Sequence, residues 1–325
     1  MTEHIGRESA VGVAIEGTRG TAETAASKWL KKTTATVLPE AEKVIDDSSF
    51  GRLEDAEEAR TVREWFEGDT SGVLHADAIG YYLAQMYGDV TTATVTGAVR
   101  THTFDLAQDI THPTLSVFVS DPVKNQVYNG AVVSSLSIEA STDDYVRYTA
   151  NILARASAAH TDTVSYDTEY DFIGKDITVK MADTSAGLAG ASAISLKSIN
   201  ISYETGAISD WVFGSTAPVH YNGAFAIEFD FTKNHTDTTF ETLFKNNTAK
   251  YFEIAIKGDN VLAGSNAPEL RFTFNKVKVT DYSVDDSSND LREESVTCKA
   301  LYNVTDQKQS TAFLRNVTSE YIIGS

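Results

Sequence analysis

The sequence predicts a mainly β chain (α+β class) made of two tandem sandwich or half-barrel modules, each with one short flanking helix. Three observations carry that prediction. Val, Thr, Tyr and Phe recur in short alternating runs broken by Asn, Asp, Gly and Ser, the pattern of strands with one buried face. Two segments switch to helical spacing. A strand-rich block also recurs at a fixed offset later in the chain. The 325 residues are enough for two domains of about 150 residues each.

Residues 1–30 are small and polar with several glycines and read as an extended arm, with Gly12, Glu16, Gly17 and Gly20 as its candidate contact positions. Residues 53–63 have a thin apolar face and read as a charged loop with some helical turn, before a strand at 62–66. The first helix starts at His75 or Asp77, sets Ile79, Leu83 and Met86 on one face and stops at Gly88. Alternating hairpins follow at 131–154 and, in the second half, at 277–300. Residues 183–192 hold nothing large to bury and read as a connector. The second helix is capped by Thr236 or Asp237, aligns Phe240, Leu243 and Phe244, and stops at Asn246-Asn247.

The repeat sets the domain plan. Tyr128 to Val133 is answered by Phe274 to Val279, and Ala154 by Ala300, at a constant offset of 146. Upstream, Phe50-Gly51 answers Phe213-Gly214, and Ile79, Tyr82 and Leu83 answer Phe240, Leu243 and Phe244. The plan is an arm at 1–30, module one at 31–158, a linker at 159–171, module two at 172–310 and a terminal strand or arm at 311–325.

Composition narrows the function. Lys+Arg number 27 against 46 Asp+Glu, a net charge of −19. Such a chain does not grip nucleic acid, which needs clustered cations, but it can let nucleic acid pass. An apolar content of 42% argues against disorder. No window reaches the roughly 18 apolar residues of a membrane span, and the first residues do not read as an export signal. The lone Cys298 forms no internal disulfide, and the seven histidines lack metal-site spacing. Asp143-Asp144 and Asp285-Asp286 occupy equivalent turns, where Asp serves turn geometry. No catalytic motif is visible, so no enzyme, cofactor or metal is expected.

Three stretches resemble the tail tube (major tail) proteins of long-tailed phages. Residues 6–22 (GRESAVGVAIEGTRGTA) look like the family's opening run, ending in E-x-x-x-G-T-A. Residues 68–88 resemble its strand-to-helix segment, and residues 128–154 resemble the edge of its sheet. The resemblance implies a structural virion protein of the viral tail, assembled in the host cytoplasm, whose rings stack into a hollow tube. Members with a doubled fold form homotrimers of pseudo-sixfold symmetry. Implied partners are other copies of the chain, the tape measure, terminator and baseplate proteins, and viral DNA passing without specific binding; no membrane is implied. The expected lumen or rim charges are Glu139, Asp143, Asp285 and Glu293, and the arm positions would meet the neighbouring ring. Two other readings remain: a baseplate or tail-terminator ring protein, and a carbohydrate-binding β-sandwich.

Overall fold

The alternating runs form twenty strands and the two helically spaced segments form helices in a computed structural model that describes residues 3–48, 51–53, 55–285 and 290–322. The first half contains β1 (Ala10–Ile15), β2 (Lys28–Leu30), β3 (Thr33–Asp46), β4 (Glu58–Val73), α1 (Ile79–Tyr87), β5 (Gly88–Thr96), β6 (Val99–Leu106), β7 (Leu115–Ser120), β8 (Asn125–Ser141), β9 (Arg147–Ala154) and β10 (Ala156–Ala159). The second half contains β11 (Ile177–Ala182), β12 (Ala193–Ile194), β13 (Ser198–Glu204), β14 (Ile208–Asp210), β15 (Val219–Tyr221), β16 (Ala226–Asn234), α2 (Thr239–Asn246), β17 (Lys250–Lys257), β18 (Glu269–Asp285), β19 (Glu293–Ala300) and β20 (Ser310–Asn316).

Antiparallel pairing builds two layers. One is a long run of eight strands in the order β3-β4-β9-β8-β13-β16-β19-β18. The other layer is in two pieces, β2-β1-β7-β8-β10 and β12-β11-β17-β18-β20-β6-β5. The 17-residue strands β8 and β18 serve both layers, their first halves in the second layer and their last halves in the long run. Each is bulged on the way, between Val133 and Ser135 and between Val279 and Asp281. A bulge bends and twists a strand locally, which lets one strand change sheets.

Between the layers lies one apolar core shared by both halves. The helix α1 is buried along its whole length, so it is an interior element and not a flanking one. It stops as expected at Gly88, whose φ of 80° suits a residue without Cβ. Helix α2 buries only Phe240 and Leu243; Asp237 Oδ1 accepts from the Thr239 N–H at 2.8 Å, and Asn247 ends the helix in the left-handed region. The stop of α2 therefore follows the sequence, whereas its N-cap position is Thr238, which gives no side-chain bond. At α1 no side chain caps, and the Asp77 carboxylate turns to Val317 N–H and Thr318 Oγ1, both at 3.4 Å.

Four segments differ from expectation. Residues 10–15 and 28–30 are not an extended arm but a packed strand pair, because Ala10, Gly12 and Ala14 make a thin strand that Trp29 and Phe118 cover. A Cβ on Gly12 would lie 2.8 Å from Ala26 Cβ, so this glycine serves close packing. The charged stretch from Glu58 is strand and not helical turn, held by its ladder with β3. Residues 183–192 bury Leu188 in a 3-10 turn. The C-terminal strand begins at Ser310 and lies between β18 and β6, within the sheet. The planned linker is also fastened down: Lys28 pairs with Asp167, Lys32 with Asp171, and Glu169 lies 3.3 Å from the buried His75.

Candidate functional site

Alternation gives the long run a dry face and a polar face. Leu136 and Ile138 of β8, Tyr148 to Ile152 at alternate positions of β9, and Ile199, Ile201 and Tyr203 of β13 point into the core. So do Ile227, Phe229 and Phe231 of β16 and Val296, Cys298 and Ala300 of β19. The intervening residues form a broad polar surface of Ser, Thr, Asn and charged side chains. Acids prevail there: Glu67, Asp69, Glu139, Glu204, Glu228, Asp230 and Glu293 stand against Arg147, Lys278 and Lys299. Part of that charge is locally neutralised, by Lys299 on Glu228 at 2.7 Å and by Lys197 on Glu293.

The four acids singled out in the sequence fall on or beside this surface. Glu139 is exposed on β8, and Glu293 begins β19, half-buried against Lys197. Asp143 lies in the exposed β8–β9 turn, where its Oδ1 accepts from Ser141 Oγ at 2.9 Å. Asp285 ends β18, and the rest of the acidic turn it opens, 286–289, lies outside the described residues, as does Phe50.

The arm positions are built into the fold. Glu16 is buried and accepts from Gly130 N–H at 2.7 Å, Gly20 N–H at 2.6 Å, Ser116 Oγ at 3.1 Å and Thr114 Oγ1. Burial raises its pKa against the pull of those donors. Gly17 N–H binds Glu23 Oε1 at 2.7 Å, and Gly20 turns the chain at a φ of 79°.

Which strands end the long run with an open edge was not foreseen. Among the described residues, β3 pairs only with β4, and β18 beyond Val277 pairs only with β19. These are the two ends of the eight-strand run. Inside the chain the corresponding junction is closed: β8 joins β13 through seven residue pairs from Ser135↔Glu204 to Ser141↔Ser198. Alternation reports which face is buried but not which edge is unpaired, so the sequence carried no direct signal of them.

Chemistry is sparse elsewhere. Among the described residues no group of three or more His, Cys, Asp or Glu could hold a metal ion. Burial pushes the Cys298 thiol well up, which leaves it inert. His75, His102, His112, His160 and His220 are buried, and the rings of all but His160 are hydrogen-bonded to neighbouring groups. No helix among the described residues is long and apolar enough to cross a membrane.

A layered β protein with a polar sheet face and unpaired edges at both ends of one sheet is suited to structural assembly. The chain belongs to the phage tail tube protein family, whose model matches residues 6–300. It is thus a structural protein of the tail tube. Among solved structures it is similar to a chain of the anti-feeding prophage baseplate, at 9% identity over 42% of this chain and 92% of that one, with a TM-score of 0.31. It is also similar to the Hcp protein, at 12% identity over 42% of this chain and 96% of that one, with a TM-score of 0.25. No curated protein matches.

Proposed function

We propose that three copies of the chain close a ring whose polar sheet face lines a channel, and that rings stack into the tube through which the viral genome leaves. The observation that carries this reading is a correspondence between the closed junction inside the chain and the open edges at its ends. The order β1, β2, β3, β4, α1, β7, β8, β9, β10 matches β11, β12, β13, β16, α2, β17, β18, β19, β20, with the same neighbours paired in each series. The bulges of β8 and β18 fall 146 residues apart, the offset of the sequence repeat. The hairpin β5–β6 interrupts the first series and β14–β15 the second.

In that correspondence β18 stands for β8 and β3 for β13. The open end of β18 is then the natural partner of β3 in a second copy, with Val284 opposite Val37 as Ile138 is opposite Ile201. Cyclic closure uses up both edges of the eight-strand run. Three chains offer six module positions. Excess carboxylates on the channel wall repel DNA phosphates, so the genome slides without adhering.

Negative-stain microscopy and mass measurement of the purified protein test this. Discs or tubes with a central hole, built in multiples of three chains, are expected. A persistent monomer, or rings of six chains, would overturn it. Discs that never lengthen would instead favour a terminator or baseplate ring.

A further inference from the structure

We propose that the junction between copies is held back by a pair of like charges, Asp281 of one chain opposite Glu40 of the next, so that ring closure depends on ionic strength. The inference rests on the ring reading above and adds to it what regulates that contact.

The closed junction inside the chain supplies the comparison. There Ser135 of β8 lies opposite Glu204 of β13, Ser137 opposite Ser202, and Glu139 opposite Asn200. All six belong to the polar face, and each acid meets a neutral polar side chain. The strand registers carry this pattern to the open edges. Ser135 pairs with Asn151 of β9 as Asp281 pairs with Thr297 of β19, 146 residues on. On the other side Glu204 pairs with Ala226 of β16, and Glu40 pairs with Trp65 of β4. Trp65 answers Ala226 because the next residues, Phe66 and Ile227, face Ala154 and Ala300, again 146 apart. Asp281 therefore falls opposite Glu40, Ser283 opposite Leu38 and Asp285 opposite Thr36. Only the first of these sets acid against acid.

Asp281 and Glu40 are both exposed in the single chain. Asp281 Oδ1 accepts from the Tyr282 N–H at 2.9 Å. Two cations further along the neighbouring strands, Lys299 of β19 and Arg63 of β4, already pair with Glu228 at 2.7 Å and Glu42 at 3.0 Å. A further acid stands beside Glu40, since its cross-strand partner Trp65 donates from Nε1 to Glu67 Oε2 at 3.4 Å. Like charges directly opposite on a sheet face weaken the pairing, and charges on a strand edge blunt its association. Apolar side chains on the dry face, Val284 opposite Val37, draw the strands together while the acids on the wet face push them apart. Exposed charges are screened beyond about 10 Å at 0.1 M salt and at shorter range as salt rises, so added salt releases the restraint.

A charge-swap cycle tests the pair, with the concentration at half-assembly read by sedimentation velocity over a salt series. Because both positions are exposed, the unassembled variants should melt at nearly the wild-type temperature. Glu40→Lys and Asp281→Lys, each alone, should assemble at about fivefold lower concentration than wild type at low salt, and should lose the wild-type gain from added salt. The double variant sets Lys opposite Lys and should return to the wild-type concentration or above it. If the acids acted only through the net charge of −19, each added Lys would help and the double variant would assemble best. That result, or assembly of both single variants at the wild-type concentration, refutes the pair while the ring stands. If neither wild type nor either single variant forms rings, both readings fall.

Discussion

Glu16 is a buried carboxylate inside what composition alone marks as a flexible tail. Two backbone N–H groups and two hydroxyls converge on it, and three of those donors sit about a hundred residues away in sequence. Removing the carboxylate strands the buried Gly130 N–H, so Glu16→Ala should cost about 3 kcal/mol, read by urea unfolding of the monomer. A second buried cluster governs pH response. His75 Nε2 lies 3.3 Å from Glu169 Oε2, and its Nδ1 lies 2.6 Å from Asp171 Oδ1. Burial raises Glu169 from 4.5 to about 7 and lowers His75 below 6.5. Glu169 therefore keeps its proton in the native state between those values, and its contribution to stability weakens as pH rises across that window. His75 acts oppositely: the unfolded chain binds its proton more readily, so stability is lost as pH falls below 6.5. Glu169→Gln should remove the first slope and leave the second, giving a steeper fall in melting temperature from pH 7 to pH 5 than in wild type.

At the scale of elements, α1 shows how a short helix is held. A Cβ on Gly80 would lie 2.1 Å from the Tyr321 ring, so the C-terminal segment lies directly on the helix backbone. Gly80→Ala should expel that segment, seen as faster proteolysis after Asn316, and Tyr321→Ala should cost about 3 kcal/mol for an emptied aromatic site. The sequence read the place, the stops and the apolar spacing of both helices, since those signals are local, but not the start of α1, which no side chain caps. It also read the hairpins at 131–154 and 277–300, where one face is dry. It misread β1, because Ala10, Gly12 and Ala14 look like a tail until Trp29 and Phe118 are brought over them. It misread the start of β4 as well. Glu58 to Glu64 are wetted on both sides, so no period is written there, and only the ladder with β3 makes it strand. Glu139 and Glu293 could be picked out as the polar positions of alternating runs. The open edges of β3 and β18 could not, because alternation does not say which strand lacks a neighbour.

For the molecule as a whole, net charge and sheet geometry act together. The polar face carries more acids than bases, and the assembly would concentrate six such surfaces around one axis. Replacing Glu139, Glu228 and Asp230 together by Lys should leave ring formation intact while making tubes retain DNA at low salt. That retention should disappear as salt rises, the signature of phosphate contacts. A filter-binding assay of wild-type and variant tubes over a salt series checks this, and equal retention by the two would remove the electrostatic account of passage.

The hairpin β5–β6 extends the second layer past β20 and has no equivalent after α2. In the three-chain ring proposed above, the wall would carry this ridge once per polypeptide. An external ligand that grips the ridge would decorate the cylinder with threefold periodicity, at a stoichiometry of one per chain.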